Sequence, residues 1–91
     1  MRIEYCMAKE ITTSANELAI LATNNDPEVR AAVATNLSTS QETLTKLSTD
    51  ENPGVRACVA GNPNTPIEVR RTMEKDESWF VRYMLGNNEN I

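Results

Sequence analysis

The stretch DPEVRAAVATN at residues 26–36 returns, little altered, as NPGVRACVAGN at residues 52–62. Val29-Arg30, Val55-Arg56 and Val81-Arg82 follow one another at a step of 26 residues, as do Asn36, Asn62 and Asn88. Pro27 and Pro53, Asp50 and Asp76, Thr39 and Thr65, and Glu42 and Glu68 keep the same step. A register held over so many positions is the signature of an internal repeat. Sliding the frame back one period sets Ile3 under Val29, Cys6 under Ala32, Met7 under Val33, and Leu18 and Leu21 under Leu44 and Leu47. The first residues thus form a degenerate unit. The 91 residues are read as a single repeat domain of about three and a half units, 1–25, 26–51, 52–77 and a half-unit 78–91.

Each unit reads as two short helices. The first opens at Asp26, Asn52 and Ser78, residues whose side-chain oxygen can accept a free backbone N–H, with Pro27 and Pro53 at the first helical position, where proline loses nothing. Its apolar stripe falls at i, i+3 and i+4: Val29, Ala32, Val33; Val55, Cys58, Val59; Val81, Met84, Leu85. It is expected to stop at Asn36, Asn62 and Asn88, since Asn tolerates the left-handed conformation of a helix end. The second helix is expected to start at Thr13 or Ser14, Thr39 or Ser40, and Thr65, with capping boxes Thr39 to Glu42, Thr65 to Glu68 and, one residue later in register, Ser14 to Glu17; Pro66 falls at the first helical position. A pair of this size cannot cover its own apolar stripes, so it is stable only when stacked on its neighbours.

Composition narrows the function. One Trp, one Phe and two Tyr leave the packing to Ala, Val, Leu, Ile and Met, which suits closely approaching helices. Nine Lys and Arg against thirteen Asp and Glu give a net charge of −4, which argues against a nucleic-acid or anionic-membrane surface. No apolar run is long enough for a secretory core or a membrane span, so a cytoplasmic protein is expected. Histidine is absent, which removes the usual general base and the commonest zinc ligand. With no nucleophile motif, no phosphate loop and no metal-ligand spacing, no catalytic residue, cofactor or metal is assigned, and the protein is read as a non-enzyme.

The pattern D/N-P-x-V-R-x-x-V-A-x-N-P-x-T-P-x-E, carried best by residues 52–68, resembles the leucine-rich repeat variant (LRV) family. The resemblance implies an all-α fold, a short right-handed α-solenoid akin to HEAT and armadillo arrays, in which an α-helix alternates with a shorter helix of α or 3-10 type. Some members carry an iron–sulfur segment beside the repeats, but Cys6 and Cys58 cannot supply the four thiolates of a cluster. The unit at 52–77 departs from the pattern: Arg70 stands where the other units have Leu18 and Leu44, and the apolar residue has moved to Val69, so its second helix is expected to be rotated or displaced.

Candidate sites follow from the same register. Cys6 and Cys58 hold one structural position two layers apart, roughly 20 Å at about 10 Å per layer, too far for a disulfide, and read as small core residues. Arg30, Arg56 and Arg82 form a ladder that could face an acidic peptide or phosphates. The stronger reading pairs Arg30 with Asp50 and Arg56 with Asp76, tying layer to layer. Asn36, Asn62 and Asn88 read as caps bonded to adjacent backbone. Trp79, Phe80 and Tyr83 crowd the last half-unit, where Trp79 and Phe80 either fold over the open end as a lid, the preferred reading, or form a docking surface. The function expected is protein–protein interaction, with another protein or a second copy, through a groove or the uncovered last layer; the alternative is a nucleic-acid-binding array using the arginine ladder.

Overall fold

The computed structural model describes residues 3–89, apart from the side chains of residues 88 and 89. Seven α-helices follow in chain order: α1 Ile3–Lys9, α2 Ala15–Leu21, α3 Pro27–Thr35, α4 Gln41–Leu47, α5 Pro53–Gly61, α6 Ile67–Met73 and α7 Trp79–Glu89. No strand occurs among the described residues, and the fold is all-helical, consistent with a short helical-repeat solenoid. The odd-numbered helices stack side by side as α1, α3, α5, α7, and the short even-numbered helices pack on them rather than on one another. The particle measures 34 × 21 × 18 Å.

Local chemistry accounts for these boundaries. Asp26 and Asn52 cap α3 and α5, their Oδ1 atoms accepting from Glu28 N–H at 2.9 Å and Gly54 N–H at 2.8 Å, with Pro27 and Pro53 as the first helical residues. Both helices end at the expected asparagine, but Asn36 and Asn62 are extended (φ −76° and −81°), and no described residue, glycine included, has positive φ. The left-handed expectation is therefore wrong. These residues are placed by what their side chains reach. Helix α7 runs on past Asn88 to Glu89; the Asn88 side chain lies outside the described residues.

The threonine row is also corrected. Thr13, Thr39 and Thr65 are buried and donate their hydroxyls to Met7 O at 2.6 Å, Val33 O at 2.6 Å and Val59 O at 2.7 Å, satisfying last-turn carbonyls of the preceding helix. They cap the end of one helix instead of the start of the next. The N-cap row lies one residue later. Ser14 forms the full capping box with Glu17, Ser40 accepts from Thr43 N–H, and Pro66, in the same register, gives α6 no side-chain cap. The short helices are α-helical throughout, not 3-10.

One apolar spine runs through the layers. Val29, Ala32, Val33, Val55, Val59, Val81 and Leu85 are buried as the spacing predicts, with Cys58 and Met84 partly so. Leu18, Leu44 and Leu47 close it from the short helices. A row of small residues joins them: Ala8, Ala34 and Ala60, spaced by one period, are each 0% exposed. In α1 the expected stripe fails. Ile3 is 65% exposed and Cys6 is exposed, while Met7 only leans on the core, because no described element covers that face of α1. At the other end, α6 rests on α7 more than on its own partner α5. Its Arg70 is half-buried with Nε donating to Thr65 O at 3.0 Å, and Val69 packs against the core beside the buried Met73, the register counterpart of Leu47.

Candidate protein-interaction face

Two side-chain ladders bolt the layers together, and their geometry decides which residues are left for a partner. Asn36 Nδ2 donates to Ala8 O at 2.7 Å and Glu10 O at 2.8 Å; Asn62 Nδ2 donates to Ala34 O at 2.8 Å and Asn36 O at 3.2 Å. Their Oδ1 atoms accept from Ser38 and Asn64 N–H, closing the turn that follows each helix. One amide therefore both shapes its own turn and grips the preceding layer. The expectation of local capping covered only the first half.

The arginine ladder is the second bolt. Arg30 Nε and Nη2 hold Asp50 at 2.8 and 3.2 Å, and Arg56 holds Asp76 at 2.9 and 3.2 Å, both as two-pronged ion pairs in the pairing predicted. The remaining edge, Nη1, donates to Asn24 O and Asn25 O in Arg30, and to Asp50 O and Glu51 O in Arg56. The Asp50 hydrogen bond raises the pKa of Arg30, and Asp76 does the same for Arg56. Burial alone would raise the Asp76 carboxyl, but the Arg56 hydrogen bond, the Ser78 backbone N–H and the charges of Arg56 and Arg82 together hold it below its ordinary value. Arg82 differs from its two counterparts. It is exposed, and its Nη1 donates to Asp76 O.

Helix α7 carries the open layer. Val81 and Leu85 turn inward to the spine, while Trp79, Phe80 and Tyr83 stand out at 68%, 43% and 57% exposure. The lid reading is thus overturned: the inward positions are covered by α5 and α6 without help, so the rings have nothing to seal. Instead they cluster on the surface, Trp79 meeting Phe80 at 5.7 Å and Tyr83 at 6.3 Å between centroids, both edge-on at 65°. Tyr83 holds the register place of Ala57, which is 1% exposed. The same position is closed in α5 and open in α7.

A groove that spacing did not reveal crosses α1, α3 and α5, about 390 Å³ in volume and lined by Tyr5, Lys9, Glu28, Ala31, Thr35 and Cys58. A smaller apolar hollow of about 120 Å³ continues it past Cys58 to Gly61 and Met84. Lys9 lies over the Tyr5 ring at 5.3 Å. Cys58 is half-buried here and burial pushes its thiol up, which keeps it protonated; Cys6 is exposed rather than in the core. Both cysteines are free. No group of three or more His, Cys, Asp or Glu among the described residues could hold a metal ion.

Stacked helix pairs joined by recurring side-chain bolts define a helical-repeat array. Residues 27–52 match the family model described as leucine rich repeat variant, consistent with a HEAT-like helical-repeat family and in agreement with the resemblance carried by the sequence. The match falls on one full period, the unit that holds the Arg30–Asp50 pair. No curated protein and no solved structure matches the chain.

Proposed function

We propose that the chain is a non-enzymatic interaction module that docks another protein through the outward face of α7, with Trp79, Phe80 and Tyr83 as its anchors. The observation that carries this is the clustered exposure of three large rings on a helix whose inward face is already buried. Rigid aromatic side chains with two rotatable bonds are what protein interfaces bury at their centres, and contiguous exposed apolar patches mark such sites. The alternative of nucleic-acid binding would need the arginine ladder, yet Arg30 and Arg56 already hold carboxylates of the chain itself and the net charge is −4. Two free thiols accord with a reducing compartment, and the cytoplasm is the proposed site of action. No described helix is long and apolar enough to cross a membrane.

The test compares wild type with a Trp79→Ala, Phe80→Ala, Tyr83→Ala triple variant. All three side chains are exposed, so circular dichroism and Tm should be little changed, within about 0.5 kcal/mol per site. Affinity capture followed by mass spectrometry should recover partners with the wild type that the variant loses, and light scattering across a concentration series reads self-association separately. Identical recovery by both proteins, or a strict monomer that captures nothing, would refute the reading.

A further inference from the structure

We infer that α6 is a flap, a helix that opens from the folded array by itself and far more often than its interior counterpart α4, and in opening uncovers the inward face of α7. Its core contact is the first ground. The register place of Leu18 and Leu44, both 0% exposed, is held in α6 by Arg70, which is half-buried. A guanidinium cannot fill a leucine's seat, because its charged head has to stay solvated or hydrogen-bonded and only the stem packs. The head is spent on Thr65 O, to which Nε donates at 3.0 Å. Val69 leans on the core and recovers part of the loss, and Met73, 3% exposed, is the one fully inserted side chain.

The start of the helix and its packing are independent grounds. Ser14 and Ser40 accept from the backbone N–H groups of Glu17 and Thr43, but Pro66, in the same place, gives α6 no side-chain cap. Helices α2 and α4 each pack on the long helix before them and the long helix after, whereas α6 has its main packing on α7. A seven-residue helix is not stable on its own propensity, so what holds it is the cap and the packed face. Of the three short helices, α6 alone lacks the cap and the leucine together.

Firm anchors on either side confine the opening. Before α6, the buried Thr65 donates its hydroxyl to Val59 O at 2.7 Å; after it, Asp76 is held by Arg56 at 2.9 Å and accepts from Ser78 N–H at 2.9 Å. The segment between Thr65 and Asp76 can therefore lift while α5, α7 and the turns that join them stay in place, an opening of part of the structure rather than of the whole. Lifting takes Met73 out of the core and thins the cover over Val81 and Leu85, on the side of α7 opposite its exposed rings. A ligand that prefers the open form would draw it out by population shift.

The test is native-state hydrogen exchange on the full chain labelled with nitrogen-15, read residue by residue at several low denaturant concentrations, with no partner present, so its outcome is separate from that of the docking reading. A missing cap shifts the closing equilibrium of a helix by about fivefold and a lost core leucine by about thirtyfold or more. With Val69 recovering part of this, the hydrogen-bonded amides near the end of α6 should exchange about a hundredfold faster than those of α4 after correction for intrinsic rates. Their rates should respond weakly to denaturant, the mark of a small opening, while amides of α3 and α5 follow global unfolding. Restoring both features with Pro66→Ser and Arg70→Leu should bring α6 to within about threefold of α4, and each single change should recover part. Three results would overturn the flap: α6 protected as well as α4 in the wild type, α6 exchanging at one rate with α5 and α7 and with their denaturant dependence, or α6 still fast in the restored variant. If the restored variant does not fold, the wild-type comparison of α6 with α4 decides alone.

Discussion

Replacing Asn62 separates two tasks that one amide performs. Its Oδ1 accepts from Asn64 N–H at 2.9 Å, which an aspartate would do equally well; its Nδ2 donates to Ala34 O and Asn36 O, which an aspartate cannot. Asn62→Ala removes these three bonds at a residue 2% exposed, and at about 1 kcal/mol net for each the loss is roughly 3 kcal/mol. Asn62→Asp keeps shape and turn bond but faces two carbonyls with a buried carboxylate, a larger cost than the missing amide. With stability of roughly 5 to 14 kcal/mol for a chain of this size, the alanine variant still folds and melts about 12 to 24 °C lower. The aspartate variant melts lower still at neutral pH. Burial and the facing carbonyls raise the introduced carboxyl above its unfolded value of about 4. The stabilising protonated form is therefore complete below that value, and its contribution is lost as pH rises through the folded pKa. Thermal unfolding followed by circular dichroism at neutral and acid pH reads both effects. If Asn62→Asp melts at or above Asn62→Ala at neutral pH, the local turn bond carries the residue and the interlayer argument fails.

Further outcomes can be checked on the same material. Leu44→Ala, at a side chain 0% exposed in the spine, should cost about 3 to 5 kcal/mol in denaturant titration, whereas Ile67→Ala, at 53% exposure, should stay within about 0.5 kcal/mol. The Asp76 carboxyl lies below its ordinary value, so its stabilising contribution is present above the unfolded pKa of about 4 and is lost as pH falls through the folded one. Asp76→Asn should accordingly flatten the acid limb of the stability profile and lower stability at neutral pH; parallel acid limbs for the two proteins would contradict this. Alkylation at mildly alkaline pH should label Cys6 well before Cys58, since one thiol is exposed and the other is half-buried with its pKa raised by burial. Peptide mapping by mass spectrometry gives the order, and faster labelling of Cys58 would contradict it.

Periodicity carried most of the fold because repeated residues answer to repeated surroundings. Val29, Val55 and Val81 share one buried environment, and the bonds from Arg30 and Arg56 to an Asp 20 residues on are readable as a constant offset. Offsets do not say which way a side chain turns. Thr39 and Thr65 have the composition of N-caps, yet their hydroxyls point back to carbonyls six residues earlier, leaving the N-cap to the next position. Asn36 has a local explanation good enough to hide its reach into the preceding layer. The end layers were hardest. Ile3 and Cys6 keep the stripe's spacing without a neighbour to cover them, and Trp79 looked like a lid because the inward packing of Val81 and Leu85 could not be counted from spacing alone. The groove past Tyr5 and Cys58 depends on how far apart three helices stand, which no pattern of residue types encodes.

The two ladders that recur between layers join atoms a fixed distance apart along the chain, 20 residues for Arg30 and Arg56 to their aspartates and 26 or 28 for Asn36 and Asn62 to carbonyls. Such an array tolerates one kind of cut and not another. Excising residues 37–62 would deliver Asp76 to Arg30 and Thr65 to Val33, each in the seat its predecessor vacated. Dropping a single residue from α4 would turn everything beyond it by about 100° on the helix and carry Asp50 away from its guanidinium. Length in such a chain is therefore free to change by whole units through duplication or loss in the gene, with no joint redesigned, while single-codon insertions in the helices are purged.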